Sequence, residues 1–341
     1  MIKKSFSIIL IAAFVFSFSG CAVLRENVRQ NAKSEAAEQA PAAVTPTPEP
    51  TDMMTAQEHL DWGRVLYHNE DFVGAFEQFE IAADAGIPEA MGIVGDYYMK
   101  GEYVEQDMEK GVALLTESAD MGDRVSQYML GIYFSDSKNE GFDYEAGFEW
   151  FEKAAEQGYQ PALYSVAVGY AKGVGVARDY EKAVSIFQAL VDDDFMEAAV
   201  YLGDCYFYGF GVEQDYDKAV SLYQMAADDG LAKGFLYLGD CYYYGVGVLQ
   251  DFDKAINYYT IAYEMGDSEA AYYLGDCYMF GQGVEQDFDK AFELYQISAE
   301  KGNPTGMYCL SYCYFAGYGV EQSNELSDYW YDLAIENGYE P

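Results

Sequence analysis

Three carboxylates in this chain repeat instead of clustering. Asp204, Asp240 and Asp276 each stand between a glycine and a cysteine, 36 residues apart, and Tyr208, Tyr244 and Phe280 accompany them. A repeat apart, they are too distant to chelate one ion. Their type and register suit the reading of successive basic side chains on an extended peptide, through charge-assisted and cation–π contacts. Reaction chemistry has less to build on. The only histidines are His59 and His68, and no G-x-S-x-G elbow, H-E-x-x-H pair or phosphate-binding glycine loop occurs. Paired carboxylates such as Asp215 and Asp217 sit where helices should begin, and they read as caps. The expectation is a non-enzyme with no catalytic residue, no cofactor and no metal.

The cysteines support that expectation. Cys205, Cys241, Cys277 and Cys313 occupy one repeat position and form a column. Packed helices lie roughly 8–10 Å apart while a disulfide needs Cα atoms within ~7 Å, so neighbours in the column should not cross-link. Cys309 and Cys313, four apart on one helix, place their Cβ atoms too far apart for a bridge. These thiols read as reduced and partly buried, and zinc-ligand spacing is absent.

The elements that position these residues follow from a period. Residues 197–232 recur nearly unchanged over the next 36, the signature of stacked structural repeats that share one elongated core. Within a unit, Leu202, Gly203 and Tyr206 recur at helical spacing, Gly203 being small where another helix comes close. Gly209-Phe210-Gly211-Val212 breaks that helix, Asp215 caps a second, Ala219, Tyr223, Ala226 and Ala227 face the first, and Gly230 ends it. Each unit is a helical hairpin. The small residue steps through Gly95, Gly131, Ala167, Gly203, Gly239, Gly275 and Ser311, and the second helices end at Gly122, Gly158, Asp194, Gly230, Gly266, Gly302 and Gly338. In one turn Ser137-Lys138-Asn139 replaces the glycine pair. An earlier unit, residues 58–86, is four turn residues shorter, and no additional polar helix follows the last unit. The outer face of that last unit is either tolerated or docked on something.

These residues resemble the Sel1-like repeat family, relatives of tetratricopeptide repeats with a longer, glycine-bearing turn. The pattern A-x-x-x-L-G-x-x-Y-x-x-G-x-G-V, then D-x-x-K-A and A-A-x-x-G, is matched from about Ala198 and recurs in register from about Glu58 onward. The resemblance implies an all-α fold, a right-handed α-solenoid of stacked hairpins, with one tetratricopeptide-like repeat followed by seven Sel1-like repeats. It also implies that the first helices line a concave face. The positions it assigns there are Asp204, Asp240 and Asp276; Phe207, Tyr243, Met279 and Phe315; Tyr208, Tyr244 and Phe280; and Tyr164, Leu236, Tyr272 and Tyr308. The opposing reading is that half of these tyrosines, as family consensus residues, pack between neighbouring units.

The N-terminal residues read differently. Lys3 and Lys4 precede an apolar stretch from Ser5 to Phe18, too short for the ~20 residues that span a bilayer, so residues 1–20 read as a secretory signal. Phe18-Ser19-Gly20-Cys21 resembles the lipobox of bacterial lipoproteins, with Phe18 in place of the usual Leu; Cys21 would be lipidated and anchor the chain to a membrane. Residues 21–56, rich in Pro, Ala and Glu, read as an extended spacer, and residues 57–341 as the repeat domain.

The formal net charge is −39, and it becomes −41 when Lys3 and Lys4 leave with the signal. Such a chain repels nucleic acid and anionic lipid headgroups and would attract basic partners or multivalent cations; the plainer reading is a solvated acidic surface that keeps a secreted protein soluble. The expected protein is a lipid-anchored scaffold of the bacterial cell envelope, facing the periplasm or exterior, that binds a protein or peptide bearing basic residues. The alternative is a carbohydrate or peptidoglycan binder, for which aromatic residues and carboxylates also serve.

Overall fold

The computed structural model describes residues 54–139 and 141–340; the signal, Cys21 and nearly all of the expected spacer lie outside them. Among the described residues there are sixteen helices and no strand, an all-α repeat solenoid. No helix there is long and apolar enough to cross a membrane. The chain divides into two compact units that meet in sequence between Arg178 and Asp179.

The first unit holds α1 (Ala56–His68), α2 (Phe72–Asp84), α3 (Pro88–Lys100), α4 (Met108–Asp120), α5 (Arg124–Ser135), α6 (Tyr144–Glu156) and α7 (Gln160–Lys172). Thr55 opens α1 with a capping box, its hydroxyl accepting from the Glu58 amide while Glu58 accepts from the Thr55 amide. The α1/α2 turn spans residues 69–71, whereas the α3/α4 turn spans residues 101–107, so the first hairpin is the shorter type that the spacing predicts. In the α5 turn without a glycine pair, the Asn139 amide donates to the Tyr133 carbonyl at 3.0 Å and closes the helix end.

The second unit holds α8 (Tyr180–Asp192), α9 (Glu197–Tyr208), α10 (Tyr216–Asp228), α11 (Ala232–Tyr244), α12 (Phe252–Glu264), α13 (Ser268–Phe280), α14 (Phe288–Glu300), α15 (Pro304–Ala316) and α16 (Asn324–Glu336). Odd-numbered helices from α9 are the first of each hairpin, and even-numbered ones the second. Asp215, Asp251 and Asp287 cap α10, α12 and α14 by accepting from the amides of Lys218, Lys254 and Lys290, as the paired-carboxylate reading expects.

The hairpin is closed by a packing requirement. A Cβ on Gly203 would lie 2.5 Å from the Tyr223 ring, and one on Gly239 would meet Tyr259 at the same distance. The aromatic ring of the second helix therefore lies directly on the backbone of the first. In the turn, Gly211 has φ +71°, and a Cβ there would lie 2.6 Å from the Tyr180 carbonyl, so both conformation and contact exclude a side chain. The sequence reading missed the glutamine that follows. Gln214, Gln250, Gln286 and Gln322 reach back across the turn and donate to the carbonyls of Phe207, Tyr243, Met279 and Phe315 at 2.7–2.8 Å. Each satisfies an acceptor that the helix end leaves open.

Candidate functional site

The aspartate column lies in the second unit on α9, α11 and α13, and each carboxylate has a dedicated partner. Tyr223 on α10 donates its hydroxyl to Asp204 at 2.7 Å, Tyr259 on α12 to Asp240 at 2.7 Å, and Tyr295 on α14 to Asp276 at 2.6 Å. The tyrosine rings are buried and the aspartates half-buried, not the exposed carboxylates that a solvated groove would carry. Burial pushes Asp204 up to about 7, against the pull of the Tyr223 hydroxyl; it pushes Asp276 up to about 6, and it drives Asp240 well above the usual carboxylate range. Asp204 and Asp276 are thereby brought close to neutral pH.

Charges from three hairpins meet here. Asp204 and Asp240 both feel Glu269, at the start of α13, and Lys233, at the start of α11. The Lys233 ammonium lies 2.7 Å from Glu269 Oε2 and 3.1 Å from Asp267 Oδ2. Burial works against its charge, but the two carboxylates outweigh burial and hold the ammonium above its ordinary value. A lysine side chain thus already occupies the acidic face.

The aromatic positions divide. Tyr208, Tyr244 and Phe280 stand outward, one helical turn beyond the three aspartates. Burial, followed by the charges of Asp204, Asp240 and Glu269, pushes Tyr208 up to about 12. Phe207 and Tyr243 turn inward, edge-on to Tyr216 and Phe252 at 5.2 and 5.3 Å. Tyr272 stacks on Tyr273 at 4.2 Å and Tyr308 on Tyr339 at 4.4 Å. Met279 and Leu236, both expected on the face, belong to the core.

The residues that build the site floor are one position further along. Tyr237 packs against Tyr223 at 5.1 Å, Tyr273 stacks on Tyr259 at 5.1 Å and Tyr201 stacks on Phe187 at 5.4 Å. Tyr237 feels Asp204, Glu269 and Asp240, and Tyr273 feels Asp240 and Glu269. In the first unit Asp96 occupies the same register as the aspartate column and pairs with Lys100. Ile132 and Val168 occupy it in the two intervening hairpins, so the uninterrupted column begins at Asp204.

The four column cysteines are free and buried, and burial pushes each thiol up to about 12. Such thiols are poor nucleophiles. Cys309 is free and its thiol is also raised by burial.

The Sel1 repeat family matches residues 88–123, 124–159, 160–191, 197–231, 236–267, 268–303 and 304–339. These seven segments follow the shorter first hairpin. A protective antigen present in uropathogenic Escherichia coli strains, which displays an SLR fold, is similar at 30% identity over 92% of this chain, with a TM-score of 0.61. This chain spans 64% of the antigen's length. A Sel1 repeat protein from Oxalobacter formigenes shares the fold at 23% identity, with 93% of this chain and 88% of that one covered and a TM-score of 0.62. An immunity protein from Pseudomonas aeruginosa shares it at 22% identity, over 63% of this chain and 81% of its own, with a TM-score of 0.50. No curated protein sequence matches. Sel1-type solenoids are a fold for protein–protein interaction and are generally non-catalytic.

Proposed function

This chain belongs to the Sel1 repeat family, and on that premise we propose that it is a non-catalytic scaffold that binds a protein or peptide bearing basic side chains. The binding face is the one that α9, α11 and α13 present. Lys233 carries this reading: its ammonium is held between Asp267 and Glu269 beside Asp204 and Asp240, so the face accepts a cationic side chain from its own chain. Tyr208, Tyr244 and Phe280 supply ring faces next to the carboxylates, and a Lys or Arg stem can lie along them. The lipoprotein-like Phe18-Ser19-Gly20-Cys21 stretch supports attachment to a membrane of the bacterial cell envelope, with the repeat domain held off the lipid by residues 21–56.

Crosslinking in the native envelope, followed by identification of the partner, tests the scaffold. The partner recovered is then measured against the triple variant D204N/D240N/D276N. Weaker binding, a flatter salt dependence and unchanged helix content are expected; the three aspartates are equivalent stations of one column, so the triple change is the fair comparison. Binding indifferent to the triple variant but lost on Y208A/Y244A, with glycan as the only material recovered, would replace this reading with a carbohydrate binder. For the anchor, Cys21→Ser should release the protein from membranes or leave the signal uncleaved. A variant that still carries lipid label would refute it.

A further inference from the structure

One register of the first helices in the second unit changes sign. At 36-residue steps it holds Glu197, Lys233, Glu269 and Thr305. Lys233 is its one cation, with a glutamate a hairpin before it and another a hairpin after. The side chain does not extend into water as other lysines do. Lys182 and Lys254 lie 3.8 and 3.9 Å from their capping aspartates and are 61% and 57% exposed. Lys233 is 27% exposed, and the carboxylates of Asp267 and Glu269 that hold it are 7% and 20% exposed.

The slot around this ammonium is built by α13 and not by Lys233. Asp267 caps α13, its Oδ1 accepting from the amides of Glu269 and Ala270 at 2.9 and 3.1 Å. The backbone thus fixes the carboxylate, while Oδ2 stays turned to the cation at 3.1 Å, beside Glu269 Oε2 at 2.7 Å. A half-buried anion pair of this kind needs a counter-charge, since breaking such a pair leaves charge uncompensated. Asp204 and Asp240, on α9 and α11, also feel the Lys233 charge, so the slot is continuous with the aspartate face.

A guanidinium suits this slot better than an ammonium. It can give separate N–H donors to the two carboxylates, where an ammonium shares one nitrogen between them, and it is more weakly hydrated. The ammonium that leaves is strongly hydrated and rides on a flexible four-carbon stem, so it returns to water readily. A partner's lysine has no such advantage. It would bring the same head group as Lys233, which is tethered beside the slot and competes at high effective concentration.

We propose that Asp267 and Glu269 form an arginine subsite of the acidic face, that Lys233 fills it in the unbound chain, and that an arginine of the partner displaces Lys233 into water. This rests on the reading of the face as the place where a basic partner binds. It adds which side chain the partner brings and which residue must leave.

The test uses the full-length chain and acetylated hexaarginine, which has no amine and leaves amine labelling to the protein. Reductive methylation read by mass spectrometry should find Lys233 protected in the free chain. Hexaarginine should raise its labelling several-fold and leave Lys182 and Lys254 unchanged. By fluorescence anisotropy the native chain should bind hexaarginine more tightly than acetylated hexalysine. Lys233→Met, which keeps the apolar stem, should tighten hexaarginine binding roughly tenfold, and Glu269→Gln should weaken it. Circular dichroism checks that both variants keep their helices; if either does not, labelling of the native chain decides. Labelling of Lys233 that hexaarginine leaves unchanged, or equal affinity for the two peptides, while D204N/D240N/D276N still weakens binding, overturns this inference and spares the face. Lys233 is then a brace between hairpins. Hexaarginine binding indifferent to D204N/D240N/D276N overturns the face itself, and this inference with it.

Discussion

Tyr223 and Asp204 are specified together. The hydroxyl of Tyr223 donates to Asp204 across the hairpin at 2.7 Å, and in five of the seven longer hairpins the two residue types change together; Asp96, opposite Leu115, pairs with Lys100 instead, and Tyr331 stands opposite Tyr312. Where the second helix carries Tyr259 or Tyr295, the first carries Asp240 or Asp276. Where the second helix of the α5/α6 hairpin carries Phe151, the first carries Ile132. A buried phenol needs an acceptor and a buried phenyl does not, so the pair is conserved as a unit within one molecule.

That relationship predicts a double-mutant outcome. Tyr223→Phe strands a half-buried carboxylate and Asp204→Ile strands a buried hydroxyl, each costing about 1–3 kcal/mol of stability. D204I/Y223F recreates the Ile132/Phe151 arrangement and should recover most of the loss, with a coupling of about 0.5–3 kcal/mol. Urea denaturation of the four proteins measures it; additive losses would mean that the bond is incidental.

A pH dependence follows, with a definite sign. Asp204 and Asp276 titrate at about 7 and about 6 when folded, above the ~3.9 of an unfolded aspartate. The folded state therefore holds more protons between about pH 4 and 7, and their contribution to stability is fully present below the unfolded value and lost as pH rises through the folded values. Thermal melts across that range should show the native chain losing stability relative to D204N/D276N as pH rises. A difference that is flat with pH, or that rises, would contradict the burial that shifts these groups. The same titration makes binding of a basic partner strengthen from pH 5.5 to 8, as the face gains charge.

Gly203 offers a steric test. A methyl group there meets the Tyr223 ring at 2.5 Å, and that ring is buried. Gly203→Ala should cost about 1–3 kcal/mol through overpacking. Gly203→Ala on a Tyr223→Ala background should cost less, because the obstructing ring is gone. Equal penalties on the two backgrounds would show that the glycine serves the backbone and not the ring.

Tyr97 marks a weak point in the first unit. It is buried among Phe76, Phe79 and Tyr103, and its hydroxyl makes no hydrogen bond in the structure. Tyr97→Phe removes that polar atom and keeps the ring, so stability should hold or rise by up to about 1 kcal/mol. A clear loss of stability would reveal a partner for the hydroxyl.

The hairpins were legible because Gly203 and its equivalents recur at one interval, and because a glycine pair and a capping aspartate leave few alternatives. The site was legible only to within a residue. Leu236 was expected on the face and lies in the core, while its neighbour Tyr237 lines the floor. Consecutive helix positions differ by about 100°, and whether a side chain meets the second helix or the open face depends on how the hairpin packs. Lys233 and Glu269 escaped notice for a different reason. Each is an ordinary first-turn residue in its own helix, and only the stacking of hairpins makes them neighbours at a separation of 36 residues.

The Asp–Tyr pair has an evolutionary consequence, because it is contained within one hairpin and repeats with it. A gene duplication that inserts one more copy of residues 232–267 would add a turn, a cap and a further Asp–Tyr pair, all self-sufficient. The acidic face would grow by one station and the rest of the chain would need no compensating change. Under the proposed binding, selection could set the length of the bound segment in discrete steps, as graduations are added to a ruler, separately from the affinity at each mark.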